Sequence, residues 1–350
     1  MKKVRLGKTG LMVSKTAMGC LPLQRCERGY GVRLVRAAFE SGINFFDTAR
    51  AYTDSESKTG EALLGVRDRV VLATKSQARD RKGLLLDLET SLQALQTDHI
   101  DILQLHNVPE LPDADDPDGA YSGALEARER GLIGHIGVST HRVSVAEECI
   151  DSGLFETVQF PFCYISSERD LALAERCRKA DVGFIAMKGL AGGLLTNARA
   201  CHAFMSRYEN VVPIWGIQRM EELEQWIALS SEDENGGARE ESLWEYIARE
   251  RQELSGSFCR SCGYCMPCPA GIEIRNCARM NMLLRRSPWQ RYFTPEWRAK
   301  MEKICECRHC GACRSKCPYE LDPQSLLPCM LKDYNEFYEA HKHLLSSPSA

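Results

Sequence analysis

Eleven of the 17 cysteines in this 350-residue chain fall between Cys259 and Cys329. No other feature restricts the fold so sharply, because so dense a set must be disulfides, metal ligands or buried small hydrophobes. The chain begins Met1-Lys2-Lys3-Val4-Arg5-Leu6-Gly7, with no apolar stretch behind its positive charges, so it reads as a cytoplasmic protein. In that reducing compartment dense cysteine points to metal binding or catalysis rather than disulfides. A net charge of −3 gives no support for a nucleic-acid partner, and no stretch approaches the ~18 apolar residues of a membrane span. The remaining six cysteines (Cys20, Cys26, Cys149, Cys163, Cys177 and Cys201) have no metal-ligand spacing and read as buried small hydrophobes. Between the two populations runs Ser231-Glu232-Asp233-Glu234-Asn235-Gly236-Gly237-Ala238. This polar segment predicts a linker over 231–241 between a first domain, 1–230, and a second, 242–350.

Two runs carry the spacing that matters: Cys259-x2-Cys262-x2-Cys265-x2-Cys268-Pro269 and Cys307-x2-Cys310-x2-Cys313-x3-Cys317-Pro318. Two-residue gaps let three thiolates converge on one iron–sulfur cubane, and a remote fourth completes it. In bacterial two-cluster proteins the Cys before Pro ligates the other cluster. The implied sets are Cys259, Cys262, Cys265 and Cys317 on one [4Fe-4S] centre, with Cys307, Cys310, Cys313 and Cys268 on a second. Zinc is the alternative, since zinc sites built from four cysteines also use Cys-x2-Cys pairs. Zinc ribbons carry two such pairs, however, whereas each run here has three successive cysteines plus a Cys-Pro. Cys277, Cys305 and Cys329 are left over. Cys305 competes with Cys307 for a ligand position, and Cys329 falls in an expected terminal helix starting at Pro323.

The first 230 residues alternate short β-branched runs with amphipathic stretches. Strands are predicted at Thr16–Gly19, Asn44–Thr48, Val70–Lys75, Ile102–His106, Ile133–Ser139, Thr157–Pro161, Gly183–Lys188 and Val211–Gly216. Between them apolar residues recur at three- and four-residue steps, as in Leu85, Leu88, Leu92 and Leu95. Eight strand–helix units predict an α/β protein, a (β/α)8 TIM barrel, followed by a mostly α second domain. A doubly wound sheet would want a Gly-rich turn after the first strand, but Cys20-Leu21-Pro22-Leu23-Gln24 stands there. Barrel chemistry sits at the carboxyl ends of strands. Those ends carry Asp47, Lys75 and His106, with Tyr52 five residues beyond Asp47. A tyrosine of pKa ~10 is a poor acid–base group at neutral pH, and a nearby ammonium such as Lys75 is expected to lower that value. Asp47 would hold Lys75 charged, and His106 would orient a carbonyl.

These motifs resemble a family. Leu6-Gly7-Lys8-Thr9-Gly10 resembles the amino-terminal hairpin of the aldo-keto reductases, and Gly42 to Tyr52 their Asp-to-Tyr signature. Val71–Lys75, Asp101–His106 and Gly131–Ser139 are similar to their next three strand motifs. The resemblance implies Tyr52 as acid/base with Asp47, Lys75 and His106 in support, and an NADP or NAD cofactor. Ser139 and Gln159 match the positions that hold the nicotinamide carboxamide, and Arg219 is placed to read a 2′-phosphate. Thr140 stands where the family has Asn, Met187 where it has a stacking aromatic, and Gln218 where a basic residue is commoner. From Cys262 the second block resembles the ferredoxin-like dicluster domain fused to a subset of these enzymes.

Three readings follow from the combination. In the first, the barrel is an NAD(P)H-dependent carbonyl reductase or alcohol dehydrogenase acting on a small molecule, and the clusters hold a structural or homo-oligomerising domain. In the second, ferredoxin or another carrier feeds single electrons through the clusters to a substrate in the barrel. In the third, the chain is an electron-transfer module with an inactive barrel. Hydride carries two electrons and each cluster passes one, so direct exchange between a nicotinamide and a cluster would require a nicotinamide radical, which is why flavins normally mediate.

Overall fold

The computed structural model describes residues 1–231, 238–254 and 258–345. Most of the expected linker, 232–237, lies outside the described residues. The chain forms two compact units, Met1–Gly189 with Ala198–Ile247, and Leu190–Asn197 with Ala248–Ala350.

In the first unit, β1 (Lys3–Arg5) and β2 (Met12–Ser14) pair as an antiparallel hairpin. Eight parallel strands follow: β3 (Ala17–Gly19), β4 (Phe45–Asp47), β5 (Val71–Ser76), β6 (Ile100–Leu105), β7 (Ile133–Ser139), β8 (Thr157–Pro161), β9 (Gly183–Met187) and β10 (Val211–Gly216). They close as a barrel, β10 pairing back to β3, as the sequence pattern predicts. The helices between them are α1 (Arg28–Glu40), α2 (Ser55–Leu63), α3 (Arg81–Leu95), α4 (Ala120–Glu129), α5 (Val143–Asp151), α6 (Glu168–Lys179), α7 (Ala198–Ser206) and α8 (Met220–Ser231). Local chemistry sets their ends. Glu27 accepts the Gly29 and Tyr30 N–H groups at the start of α1, and Ser167 with Asp170 forms a capping box on α6.

Because side chains alternate along a strand, every second residue faces the barrel interior. Ala17, Phe45, Val71, Ala73, Ile102, Ile185, Val212 and Ile214 pack there with Leu6 and Val13 of the hairpin segment. Continuing the same faces toward the carboxyl ends, Phe45 is followed by Asp47, Ala73 by Lys75, and Ile102 by Gln104 and His106. An apolar layer thus gives way to a polar one within two residues on β4, β5 and β6. Gly137 of β7 pairs in register with Gln104. A Cβ there would lie 2.2 Å from Thr157 Oγ1 and 3.0 Å from Gln104 Cγ. Gly137→Ala is therefore expected to destabilise the fold by about 1–3 kcal/mol through overpacking, read as a lower urea midpoint.

α9 (Ala238–Glu253) takes in 238–241, the last four residues of the expected linker. The second unit then builds α10 (Ile274–Cys277), α11 (Met280–Arg286), α12 (Pro295–Glu302), α13 (Ala312–Ser315) and the long α14 (Pro323–His341), whose start Asp322 caps. Trp289, Phe293, Tyr334 and Phe337 form an aromatic core around α14. Tyr334 donates its hydroxyl to the Tyr292 carbonyl at 2.8 Å. No described helix is long and apolar enough to cross a membrane.

Candidate functional site

The barrel strands deliver the expected residues to one end. Asp47 closes β4, Lys75 lies one residue from the end of β5, His106 follows β6, and Tyr52 sits in the loop before α2. Lys75 Nζ donates to Asp47 Oδ2 at 2.6 Å and to the Thr48 carbonyl at 2.6 Å. Both side chains are buried. Gln104 Nε2 donates to Asp47 Oδ1 at 2.9 Å, and Gln159 Nε2 reaches Oδ2 at 3.4 Å. Lys75 Nζ lies 5.4 Å from the centre of the Tyr52 ring, which meets the His106 ring edge-on at 5.9 Å. Asp47, Lys75, Tyr52 and His106 therefore come together. The buried Gln104, between Leu103 and Leu105 on β6, is the supporting residue that sequence reasoning passed over.

The loops that follow are held in uncommon backbone. Thr53 and Asn107, the residues after Tyr52 and His106, have φ of 44° and 58°. For a β-branched threonine this is strained, and such strain persists only where surrounding contacts impose it. Here Ser55 N–H donates to the Tyr52 carbonyl at 2.8 Å, the Ser55 hydroxyl donates to the Cys20 carbonyl at 2.9 Å, and Arg79 donates to the His106 and Asn107 carbonyls.

Electrostatics differ from the sequence expectation in one respect. Burial pushes the Tyr52 hydroxyl above its ordinary value, and the Lys75 ammonium only partly opposes this. Tyr52 thus stays protonated at neutral pH. Burial works against the Lys75 ammonium, but the Asp47 carboxylate and Tyr52 outweigh it and hold Lys75 above its usual value. His106 is pushed down to about 3 by burial, then by Lys75 and Arg79. Its imidazole is neutral, and its buried Nδ1 has no partner among the described residues.

The expected cofactor residues are placed less uniformly. Ser139 ends β7 and its Oγ accepts the Asn107 N–H at 2.9 Å. Gln159 Oε1 is buried without a partner among the described residues. Thr140 commits its hydroxyl to the Val108 carbonyl at 3.0 Å. Arg219, exposed just before α8, binds Glu222 through Nε at 3.0 Å and Nη2 at 2.9 Å.

In the second unit the two cysteine runs line two cavities. One is walled by Cys259, Cys262, Cys265 and Cys317, with Cys313 also reaching it. The other is walled by Cys268, Cys307, Cys310 and Cys313, with Cys265 reaching it. Cys277, Cys305 and Cys329 line neither. Among the described residues no group of three or more His, Cys, Asp or Glu side chains is drawn together tightly enough to hold a single metal ion. Of the six scattered cysteines, Cys26 is half-buried and the other five are buried.

A buried ammonium–carboxylate pair thus lies beside a tyrosine at a barrel mouth, on a chain that also carries thiol-walled cavities, and its relatives mark it as an oxidoreductase. Residues 19–226 match the Aldo/keto reductase family, and the chain belongs to that family; residues 258–322 match the 4Fe-4S dicluster domain. The chain is 28% identical over 226 residues to the uncharacterized oxidoreductase YqkF of Bacillus subtilis, covering 60% of this chain and 72% of that protein. It is 31% identical over 215 residues to L-galactose dehydrogenase of Arabidopsis thaliana, covering 55% and 66%. Among solved structures, the fold is shared with aldo-keto reductase AKR11C1 of Bacillus halodurans (22% identity, TM-score 0.62, covering 71% of this chain and 96% of that one). It is shared too with an aldo-keto reductase of Klebsiella pneumoniae in complex with NADPH (23%, TM-score 0.61, 70% and 95%).

Proposed function

We propose that the barrel reduces the carbonyl of a small molecule, or oxidises the matching alcohol, with Tyr52 as the acid/base. The observation that carries this is the buried Lys75–Asp47 pair, 2.6 Å long, with Lys75 Nζ 5.4 Å from the Tyr52 ring. A nicotinamide nucleotide, when bound, supplies or accepts the hydride. Tyr52 gives its proton to the carbonyl oxygen in reduction, and the Lys75 ammonium stabilises the tyrosinate left behind. Asp47, itself gripped by Gln104, keeps Lys75 charged and positioned. Neutral His106 donates a hydrogen bond to the oxygen as negative charge develops there. The unpartnered Gln159 Oε1 suits a carboxamide N–H, and the Klebsiella relative binds NADPH. Tyr52→Phe, with NADPH and NADH titrated against the purified protein, tests the reading; binding of neither nucleotide removes it.

Nucleotide preference turns on Arg219. The Glu222 carboxylate accepts the Gln218 N–H at 2.8 Å as well as the Arg219 guanidinium, so Glu222 competes with a 2′-phosphate for Arg219. Glu222→Gln is expected to tighten NADPH about tenfold, or ~1.4 kcal/mol, with NADH unchanged. An unaltered NADPH/NADH ratio in a fluorescence titration excludes Arg219 from phosphate recognition.

For the second unit, the two cavities support [4Fe-4S] clusters on Cys259, Cys262, Cys265 and Cys317, and on Cys268, Cys307, Cys310 and Cys313. When bound, such clusters pass one electron at a time. Cys310 is exposed while Cys259 is buried, which favours exchange of single electrons with an external carrier through the second set. Anaerobically reconstituted protein is expected to hold about eight iron atoms per chain; zinc without iron ends this reading.

A further inference from the structure

Charge is shared unequally along the chain. Residues 248–350 hold 16 lysines and arginines against 11 aspartates and glutamates, although the whole chain is net −3. The excess gathers at the second cysteine run. Arg308 and His309 separate Cys307 from Cys310, Arg314 and Lys316 separate Cys313 from Cys317, and all four are exposed. Glu306 is the one carboxylate between Cys305 and Cys317, and Lys303 engages it at 2.7 Å. Arg314 comes no nearer to Asp322 than 3.9 Å. The first run differs. It has one basic residue between its ligands, Arg260, which lies over the Phe258 and Tyr319 rings.

The same end of the second unit carries a groove of about 510 Å³. Ile304, Leu327, Pro328 and Leu331 give it an apolar floor, Cys305 and Cys307 belong to its wall, and Lys332 and Glu336 also line it. An apolar patch framed by charge, next to a redox ligand, has the make-up of a transient protein interface.

We propose that this face is the docking port for a small acidic one-electron carrier protein. The proposal rests on the reading that the clusters exchange electrons with an external carrier, and adds where and with what charge. A cubane held by four thiolates is itself net negative, so an acidic carrier approaching a bare cluster meets repulsion. Arg308, Arg314 and Lys316, with Lys332 at 3.9 Å from Glu336, oppose that field, raising the encounter rate and fixing orientation. The groove then supplies apolar contact beside Cys307. In the transfer the carrier is oxidised by one electron and the Cys268–Cys307–Cys310–Cys313 cluster reduced by one, with no bond made or broken.

The test is anaerobic titration calorimetry of the cluster-loaded protein with a small acidic ferredoxin, alongside stopped-flow bleaching of the clusters. The affinity is expected to weaken steadily as added salt shortens the Debye length from about 10 Å to about 3 Å. Arg314→Glu with Lys316→Glu, neither of which lines a thiol-walled cavity, is expected to weaken binding at least about tenfold at low salt, while dithionite still reduces the clusters to the same end-point. Because both residues lie between cysteines of the second run, Lys332→Glu on α14 provides a second variant away from the ligand loops, expected to weaken binding in the same direction. Equal ferredoxin affinity in the parent and both variants overturns the port. Dithionite reduction with no ferredoxin binding or reduction at any salt overturns the carrier reading itself.

Discussion

Tyr52→Phe is expected to lower kcat/KM for carbonyl reduction by about 10²–10⁴-fold while leaving nucleotide affinity unchanged. Phenylalanine keeps the edge-on contact with His106 and the packing against Lys75, and removes only the hydroxyl that carries the proton. Lys75→Met is a poorer probe. It strands the Asp47 carboxylate among buried groups, a change that costs about 3–5 kcal/mol of stability, so lost activity would mix chemistry with unfolding. The pH profile separates the roles further. Reduction needs Tyr52 protonated, and burial holds its hydroxyl above the ordinary value. The protonated fraction is therefore full at neutral pH and falls only as pH rises past that raised value. His106, at about 3, is neutral over the same range. The reductive kcat/KM is expected to be flat from about pH 6 to 9 and to fall in stronger alkali; a limb near the ordinary histidine value of ~6.5 would overturn the neutral assignment of His106.

The barrel was legible because its signal is repeated eight times. Ile133–Ser139, Thr157–Pro161 and Val211–Gly216 appear as strands with the predicted ends, and the others shift by one or two residues. Tyr52, Asp47, Lys75 and His106 were legible as polar residues where apolar strands stop. Their electrostatics were not, because a pKa depends on how much water remains. Sequence proximity suggested Lys75 lowering Tyr52, and enclosure of Tyr52 reverses the net direction. Gln104 was hidden for a related reason. A glutamine inside Asp101-Ile102-Leu103-Gln104-Leu105-His106 gains meaning only when the barrel brings Asp47 to 2.9 Å from it. Arg219 shows a different limit, since the resemblance offered it as a phosphate reader and only the fold brings Glu222, three residues on, to its guanidinium.

Cysteine replacements give the second large effect. Cys307→Ser is expected to cost about four of about eight iron atoms per chain, and Cys305→Ser none. The two thiols lie two residues apart, so spacing alone separates them weakly. Cys305 sits in the short 3-10 turn Lys303–Glu306, exposed and outside both thiol-walled cavities. Cys307 ends that turn and lines the cavity that holds Cys310, Cys313 and Cys268. The crossed arrangement makes a sharper demand on pairs of changes. Cys268→Ser combined with Cys307→Ser removes two ligands from one cluster, so the double variant is expected to lose no more iron than either single one. Cys317→Ser combined with Cys307→Ser strikes both clusters and is expected to lose nearly all of it. Uncrossed runs, each holding its own cluster with four consecutive cysteines, reverse the two results, because Cys268 then belongs with Cys259 and Cys317 with Cys307. Iron analysis of the two double variants, with electron paramagnetic resonance of the reduced protein to count the surviving centres, decides which cysteine completes which cubane.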